Sequence, residues 1–269
     1  MAICGTLELD FPPIKLQSIE TNPMNFNEME FAGYASWPSS EQQVENGLVL
    51  RSANGFTKRA NSANIVGSLG HDYLNIIQKC EHYFEQRNLR CIFRLLSYCD
   101  NQVLDTHLSS VGYKLVDPSI VLYQSLQGLS FDSTALVLKT ADEWIESYCR
   151  IADLDLQLMG PHLEILKRVQ EKVVFAVLEE GGTEVSCAMG VISNGYFGLF
   201  DLVTRKAERA RGHGKTLMEG LLSWAASNGA KYSYLQVVAD NDVAMRLYKK
   251  MGYQYAYDYW YRIGSAETP

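Results

Sequence analysis

The sequence predicts an α/β protein of the α+β kind, built from two successive units of sheet flanked by helices. Three observations carry that prediction. An apolar run, Phe197–Thr204, leads through Arg209-Ala210-Arg211-Gly212-His213-Gly214 into Leu217, Leu221, Leu222, Trp224 and Ala225, which keep the one-faced spacing of an amphipathic helix. Strand-like and helix-like segments alternate along most of the chain. The pattern of the first half recurs in the second at a fixed offset of 140 residues.

Taken in order, residues 1–45 are mixed, with breakers at Pro12-Pro13 and Asn22-Pro23. Phe26–Trp37 has room for a short helix that Pro38 stops. Ser39–Gly47 is polar and reads as a loop; Leu48-Val49-Leu50 and Phe56–Val66 read as strands. From His71 to Arg87 the positions Tyr73, Leu74, Ile77, Cys80 and Phe84 keep helical spacing. Leu89–Leu96 is a short strand, Asn101–Val111 a helix ended by Gly112, and Val116–Leu126 another strand. The small, polar stretch Gln127–Ser133 reads as a linker and divides the chain into units 1–126 and 127–269. Leu136–Leu138 opens the second unit, and Ala141–Leu158 and Pro161–Val169 follow as helices. Val173–Leu178 and Ser186–Ser193 form a hairpin across the turn Glu180–Glu184. Tyr196–Thr204 enters the glycine turn, helix 213–227 leaves it, and Gly229 closes that helix. Tyr232–Ala239 is a buried strand, Asn241–Met251 a helix ended by Gly252, and Tyr253–Ile263 a last aromatic strand.

The 269 residues are 47% apolar, enough for a real core. Lys and Arg number 24 against 31 Asp and Glu, a net charge of −7. An acidic surface argues against nonspecific nucleic-acid binding, which works by displacing counterions with a basic face. No apolar run approaches the roughly 20 residues of a membrane span. The N-terminus shows no basic region followed by an apolar core, so no signal peptide is expected. Six cysteines lie scattered, with no Cys-x-x-Cys and no His cluster beside them. No metal is expected, and the thiols read as reduced, mostly buried groups of a cytoplasmic protein.

The glycine turn is where chemistry enters. Two glycines one residue apart at a helix entrance let backbone approach a ligand closely. The first helical turn offers unpaired N–H groups and the positive end of a dipole, which together seat a phosphate. Arg209, Arg211 and Lys215 add positive charge there. The Walker pattern is excluded, because position 209 is Arg where its first Gly belongs; the dinucleotide fingerprint is excluded by Leu217. His213 reads as a solvent-facing side chain near the phosphate.

The repeat sharpens this. At the offset of 140, Asn101 meets Asn241, Gly112 meets Gly252 and Tyr113 meets Tyr253, with no gap from helix to final strand. Opposite Arg209, Gly212 and Gly214 stand Leu69, Asp72 and Leu74, and opposite Tyr248 stands Leu108. The first copy has lost both glycines and the phenol, so only the second is equipped for an anionic cofactor.

The second half resembles the GNAT superfamily of acyl-CoA N-acyltransferases. The family's Arg/Gln-x-x-Gly-x-Gly/Ala turn matches residues 209–214, and its Asn…Ala…Leu-Tyr-x-x-x-Gly-Phe/Tyr pattern matches Asn241, Ala244, Leu247-Tyr248 and Gly252-Tyr253. The resemblance is specific over Phe197–Tyr253 and extends over about 135–269; the whole is similar to tandem GNAT proteins with a degenerate first copy. It implies mixed, mostly antiparallel sheets, with strands splayed at a slot in the second unit. It implies acetyl-CoA as cosubstrate, its pyrophosphate on Arg209, Ala210, Arg211, Gly212, His213, Gly214 and Lys215 and its pantetheine arm along Leu202, Val203 and Thr204. Asn241 fits either a cofactor hydrogen bond or a helix N-cap. Tyr248, two turns further along the same face, is the acid for the departing thiolate. The family often places a Glu base on the strand before the turn; here that stretch is Tyr196-Phe197-Gly198. Asp201 is the nearest carboxylate, alternating with Leu199 and Val203 and costly there unless paired or functional, so it is read as base, substrate anchor or structural acceptor. Asp240, Gln236 and His162 are weaker candidates, and Trp144, Tyr148, Tyr196 and Tyr253–Tyr261 are candidate walls of an acceptor pocket. The activity implied is acetyl transfer to a primary amine, small-molecule or peptide, by direct attack in a ternary complex. The missing strand Glu leaves a non-catalytic acyl-CoA sensor as the alternative. The chain specifies neither the acceptor nor the oligomeric state.

Overall fold

The computed structural model describes residues 25–264, apart from residues 46, 68, 71 and 132–133. Pro12-Pro13, Asn22-Pro23 and Cys4 lie outside the described residues, as does part of the linker reading at Gln127–Ser133. Seven helices and eleven strands are described. The first half runs α1 (Phe26–Ser36), β1 (Glu41–Glu45), β2 (Leu48–Ser52), β3 (Ser62–Ile65), α2 (Tyr73–Glu85), β4 (Ile92–Leu96), α3 (Gln102–Ser110) and β5 (Lys114–Ser125). The second runs β6 (Val137–Lys139), α4 (Ala141–Ala152), α5 (Gly160–Arg168), β7 (Lys172–Glu180), β8 (Thr183–Ser193), β9 (Tyr196–Thr204), α6 (His213–Ser227), β10 (Tyr232–Val238), α7 (Asp242–Lys250) and β11 (Gln254–Ile263).

Two readings need correction. Glu41–Glu45, read as loop, is the edge strand β1: its side chains are almost all exposed, and pairing to β2 is by backbone, so no apolar period marks it. Phe56–Val66, read as a strand, is a loop with a single 3-10 turn at Lys58–Ala60, and only Ser62–Ile65 is strand. Asn61 holds that loop: its Oδ1 accepts from the Ala53 and Gly55 N–H groups, and its Nδ2 donates to the Thr57 carbonyl.

All eleven strands join one sheet in the order β1-β2-β3-β4-β11-β5-β10-β9-β8-β7-β6. Leaving out the edge strand β6, the order is palindromic about the β11–β5 pair. The parallel pairs β3–β4 and β9–β10 are mirrored, and every other pair in the sheet is antiparallel. The offset of 140 recurs in the element boundaries: α2 and α6 begin at 73 and 213, β4 and β10 at 92 and 232, β5 and β11 at 114 and 254. Helices α3 and α7 match at both ends, 102–110 and 242–250. The glycines that follow them, Gly112 and Gly252, both adopt left-handed φ, +95° and +89°. The two final strands are exchanged: β5 pairs with β10, and β11 with β4. The halves therefore share one hydrogen-bonded centre.

The helices bury their apolar faces on this sheet. Leu217, Met218, Leu221 and Leu222 of α6 pack with Ile120, Leu122, Leu199 and Leu235; Phe84, Leu104 and Leu108 pack with Phe93 and Leu95 in the first half. Helix α1 lies on β8 and β9 of the second half. It is pinned there by Ser36 Oγ, 3.3 Å from the Tyr234 hydroxyl, and by a buried ion pair between Glu30 and Arg94, to which Tyr257 also donates. Among the described residues no helix is long and apolar enough to cross a membrane.

Candidate active site

Strand β9 begins as an ordinary parallel partner of β10, from Tyr196↔Tyr232 to Leu199↔Leu235. Pairing then stops, although β9 continues to Thr204 and β10 to Val238. A bulge sits at the point of divergence. Met189 of β8 pairs with Phe200 and Cys187 with Val203, so Asp201 and Leu202 together oppose Ala188. Asp201 takes φ +52°, unusual for a residue with a side chain. The bulge bends β9 away from β10 and opens a slot with backbone on both lips. Leu202, Val203 and Thr204, assigned to the pantetheine arm, lie on the β9 lip and are half-buried, Val203 and Thr204 pairing on their other edge with Cys187 and Ser186 of β8.

The glycine turn lies at the end of this strand. Arg209–Gly212 are exposed, Ala210 takes φ +63° and Gly212 φ +90°, and α6 starts at His213. None of the N–H groups of residues 210–215 donates a hydrogen bond among the described residues; the first helical bond is Thr216 N–H to the Gly212 carbonyl. A Cβ built on Gly212 would meet nothing within 4 Å, whereas one on Gly214 would touch Thr204 Oγ1 at 3.5 Å and Leu247 at 3.6 Å. The bend is thus a bare, open row of donors.

Its side chains behave differently from expectation. His213 is buried, its Nε2 3.2 Å from Glu180 and 3.5 Å from Glu208 at angles that make no hydrogen bond. It therefore does not face solvent: the bend turns the first helical side chain inward, under the turn. Arg211 pairs with Glu208 at 2.8 Å and Lys215 with Glu219 at 2.5 Å, so both cations already have carboxylate partners. Arg209 donates through Nε to the Thr204 carbonyl and braces turn against strand. Asn241 caps α7, accepting from Ala244 N–H at 3.1 Å.

Tyr248 is buried beside Tyr253, in the same apolar cluster as Leu199, Leu235, Val237 and Leu202. Burial, with a smaller contribution from Tyr253, pushes its phenol up to about 12, so it keeps its proton at neutral pH. Gly198, in the stretch where the family often has Glu, has no room for any side chain: a Cβ there would stand 2.6 Å from Tyr234 Oη and from Phe200.

Asp201 and Val238, one from each lip, line a cavity of about 670 Å³. The first half supplies much of its wall, including Trp37, Phe56 and Arg59, none of which the sequence reading singled out. Of the aromatics proposed as pocket walls, Tyr259 and Tyr261 line it. Trp144, Tyr148 and Tyr196 do not: Tyr148 stacks on buried Trp144, and Tyr196 on Tyr232. Asp201 Oδ2 lies 3.0 Å from His162 Nε2. His162 is itself buried among the rings of Trp37, Phe56, Trp144 and Tyr148. This fixes the carboxylate with its second oxygen free.

The chain is similar to known proteins over most of its length. The family described as "Probable histone acetyltransferase Rv0428c C-terminal" matches residues 25–262. The chain is 26% identical over 249 residues to an uncharacterised N-acetyltransferase, YobR, of Bacillus subtilis, covering 89% of this chain and 98% of that protein. The fold is shared with a GCN5-related N-acetyltransferase from Kribbella flavida at 17% identity and TM-score 0.67, covering 90% and 96% of the two chains. It is shared also with a tandem GNAT protein from the clavulanic acid biosynthesis pathway, at 10% identity, TM-score 0.59 and 88% coverage of each chain. The splayed lips, the bare bend and the family match lead to one statement: the chain belongs to the Rv0428c C-terminal family and is a GNAT-type N-acetyltransferase.

Proposed function

We propose that the second half transfers acetyl from acetyl-CoA to a primary amine held in the cavity between the halves. The observation that carries this is the loss of β9–β10 pairing beyond Leu199 and Leu235, which opens a slot whose two lips reach the cavity at Asp201 and Val238. The residues present fit the cosubstrate. Six unpaired N–H groups and an open Gly212 suit a diphosphate, and the free lip of β9 suits an amide-bearing arm. Bound acetyl-CoA supplies an acyl thioester.

The chain's residues do the rest. The Asp201 oxygen not bonded to His162 accepts a proton from the acceptor ammonium, directly or through water, leaving a nucleophilic amine. As the new C–N bond forms and the C–S bond breaks, Tyr248 gives its phenolic proton to the sulfur; the nitrogen sheds its second proton to water, Asp201 releases its own to solvent, and Tyr248 is reprotonated from solvent. Asn241 remains the cap of α7. The first half acts as acceptor wall and the second as acyl-donor site, the units being 1–126 and 127–269. The working compartment is the cytoplasm.

The test is a thermal melt with and without acetyl-CoA, since a ligand specific for the folded state stabilises it, joined to thiol release across a panel of amines. A stabilisation together with turnover that Tyr248→Phe lowers about 100-fold or more supports the reading. Binding without thiol release for any amine indicates a sensor instead, and no stabilisation overturns the cosubstrate assignment.

A further inference from the structure

Among the described residues two cations that line the cavity have no carboxylate partner, Arg90 and Arg59. Lys58 bonds Asp117 at 2.7 Å, and Asp201 bonds His162. Arg90 is exposed at the rim and donates to the Gly264 carbonyl. Arg59 has no carboxylate within ion-pair distance among the described residues, and its Nε is buried without a hydrogen-bond partner. Its guanidinium carbon lies 5.3 Å from the centroids of both Trp37 and Phe200, wedged against two aromatic rings.

This arginine is held in place before any ligand arrives. Arg51 donates to the Arg59 carbonyl at 2.8 Å, Trp37 Nε1 donates to Thr57 Oγ1 at 3.1 Å, and Asn61 ties the same loop to Ala53 and Gly55. Trp37 also packs on His162, so the guanidinium and the Asp201–His162 pair share one aromatic wall. Apart from the rim residue Arg90, the wall thus carries, among the described residues, one cation without a carboxylate partner and one half-free carboxylate.

We infer that the acceptor is a small amine that also bears a carboxylate, its amine at Asp201 and its carboxylate on Arg59. This deepens, and rests on, the acetyl-transfer reading above. A planar guanidinium fork matches a carboxylate with two parallel hydrogen bonds. Of the two arginines, only Arg59 shares the Trp37 wall with the Asp201–His162 pair, and its single charge matches a carboxylate rather than a doubly charged phosphate. A volume of about 670 Å³ is that of a small-molecule site. Arg59 belongs to the first half, so the copy without the bare bend provides the selectivity.

The experiment compares matched pairs: L-lysine with cadaverine, L-ornithine with putrescine, and L-phenylalanine with phenethylamine. Thiol release is measured for the wild type, Arg59→Gln and Arg59→Lys, with acetyl-CoA affinity measured on each protein as a check of folding. The expected result is that at least one acid exceeds its decarboxylated twin about tenfold or more in kcat/KM. Arg59→Gln then collapses that ratio towards one by raising the KM of the acid about 10–100-fold, and Arg59→Lys recovers part of it. Amines that equal or exceed their acids, or a ratio indifferent to Arg59→Gln, overturn the inference. Failure of every acid while acetyl-CoA still binds also overturns it, and leaves the acyl-donor site standing. Failure of acetyl-CoA to bind the wild type overturns the reading beneath it.

Discussion

Replacing Gly212 separates charge from backbone strain at the bend. The counterpart of Gly212 in the first half is Asp72, which serves there as a plain N-cap of α2, accepting from Asn75 N–H at 3.3 Å. Gly212→Asp and Gly212→Asn introduce nearly the same shape. Both must adopt φ +90°, at about 1–2 kcal/mol of strain, and both have open space for a Cβ. Only Asp places a negative charge beside the row of free N–H groups. Two phosphate charges about 5 Å away in a water-like dielectric repel it by about 0.8 kcal/mol each. The Asp variant therefore binds acetyl-CoA about 10–20-fold more weakly than the Asn variant at low salt. At 1 M salt, where the screening length is about 3 Å, the difference shrinks to about threefold or less. Isothermal titration of both variants at two ionic strengths reads this directly. Asp is a good helix cap, so general unfolding predicts no such gap between the two. Equal affinity of the Asp and Asn variants at low salt refutes the placement of the diphosphate on this bend.

Other consequences follow from the packing and the charges. Glu30→Gln leaves Arg94 buried without its counter-charge, which costs about 3–5 kcal/mol and lowers the melting temperature by roughly 10 °C; Arg94→Met combined with Glu30→Leu recovers much of it, and calorimetry tests both. Residues 127–269 expressed alone lack β5, which exposes the β10 edge along Tyr232–Val238, so this fragment aggregates or dimerises in size-exclusion chromatography, and a stable monomer contradicts the exchanged-strand account. Burial opposes ionisation of Glu184, but hydrogen bonds from Arg150, Lys139 and Ser147 outweigh it and bring its carboxyl down to about 2. Because that value lies below the ordinary 4.5, the charged form stabilises the fold above that pH and its contribution is lost as pH falls through about 2. Glu184→Gln is accordingly less stable than wild type at pH 7, and the two converge towards pH 2 in denaturant titrations.

Much of the donor side is legible in the sequence because its constraints are local. A bend that must expose N–H groups at positive φ uses Gly212, and helices after it and after β10 end on left-handed glycines. The offset of 140 survives because insertions between packed elements would disturb register. The acceptor side is different. Arg59 and Phe56 reach the cavity through a loop fixed by Asn61 and Trp37 from the end of α1, and no period or motif in these residues marks that convergence. Asp201 stands out as a carboxylate in an apolar strand, yet simple alternation does not describe it: the bulge against Ala188 places it at the mouth of the slot. The exchange of β5 and β11 is equally invisible, since both carry strand patterns and partner choice depends on tertiary context. His213 reads as solvent-facing from its place in a glycine turn, and is buried because the bend turns this first helical side chain inward.

A crystal structure of the complex with coenzyme A tests the central claim most directly. The account predicts the diphosphate against the N–H groups of residues 210–215, the pantetheine arm between β9 and β10, and the sulfur near Tyr248 and Asp201. A diphosphate bound elsewhere, with β9 and β10 still empty between Phe200 and Val238, contradicts it.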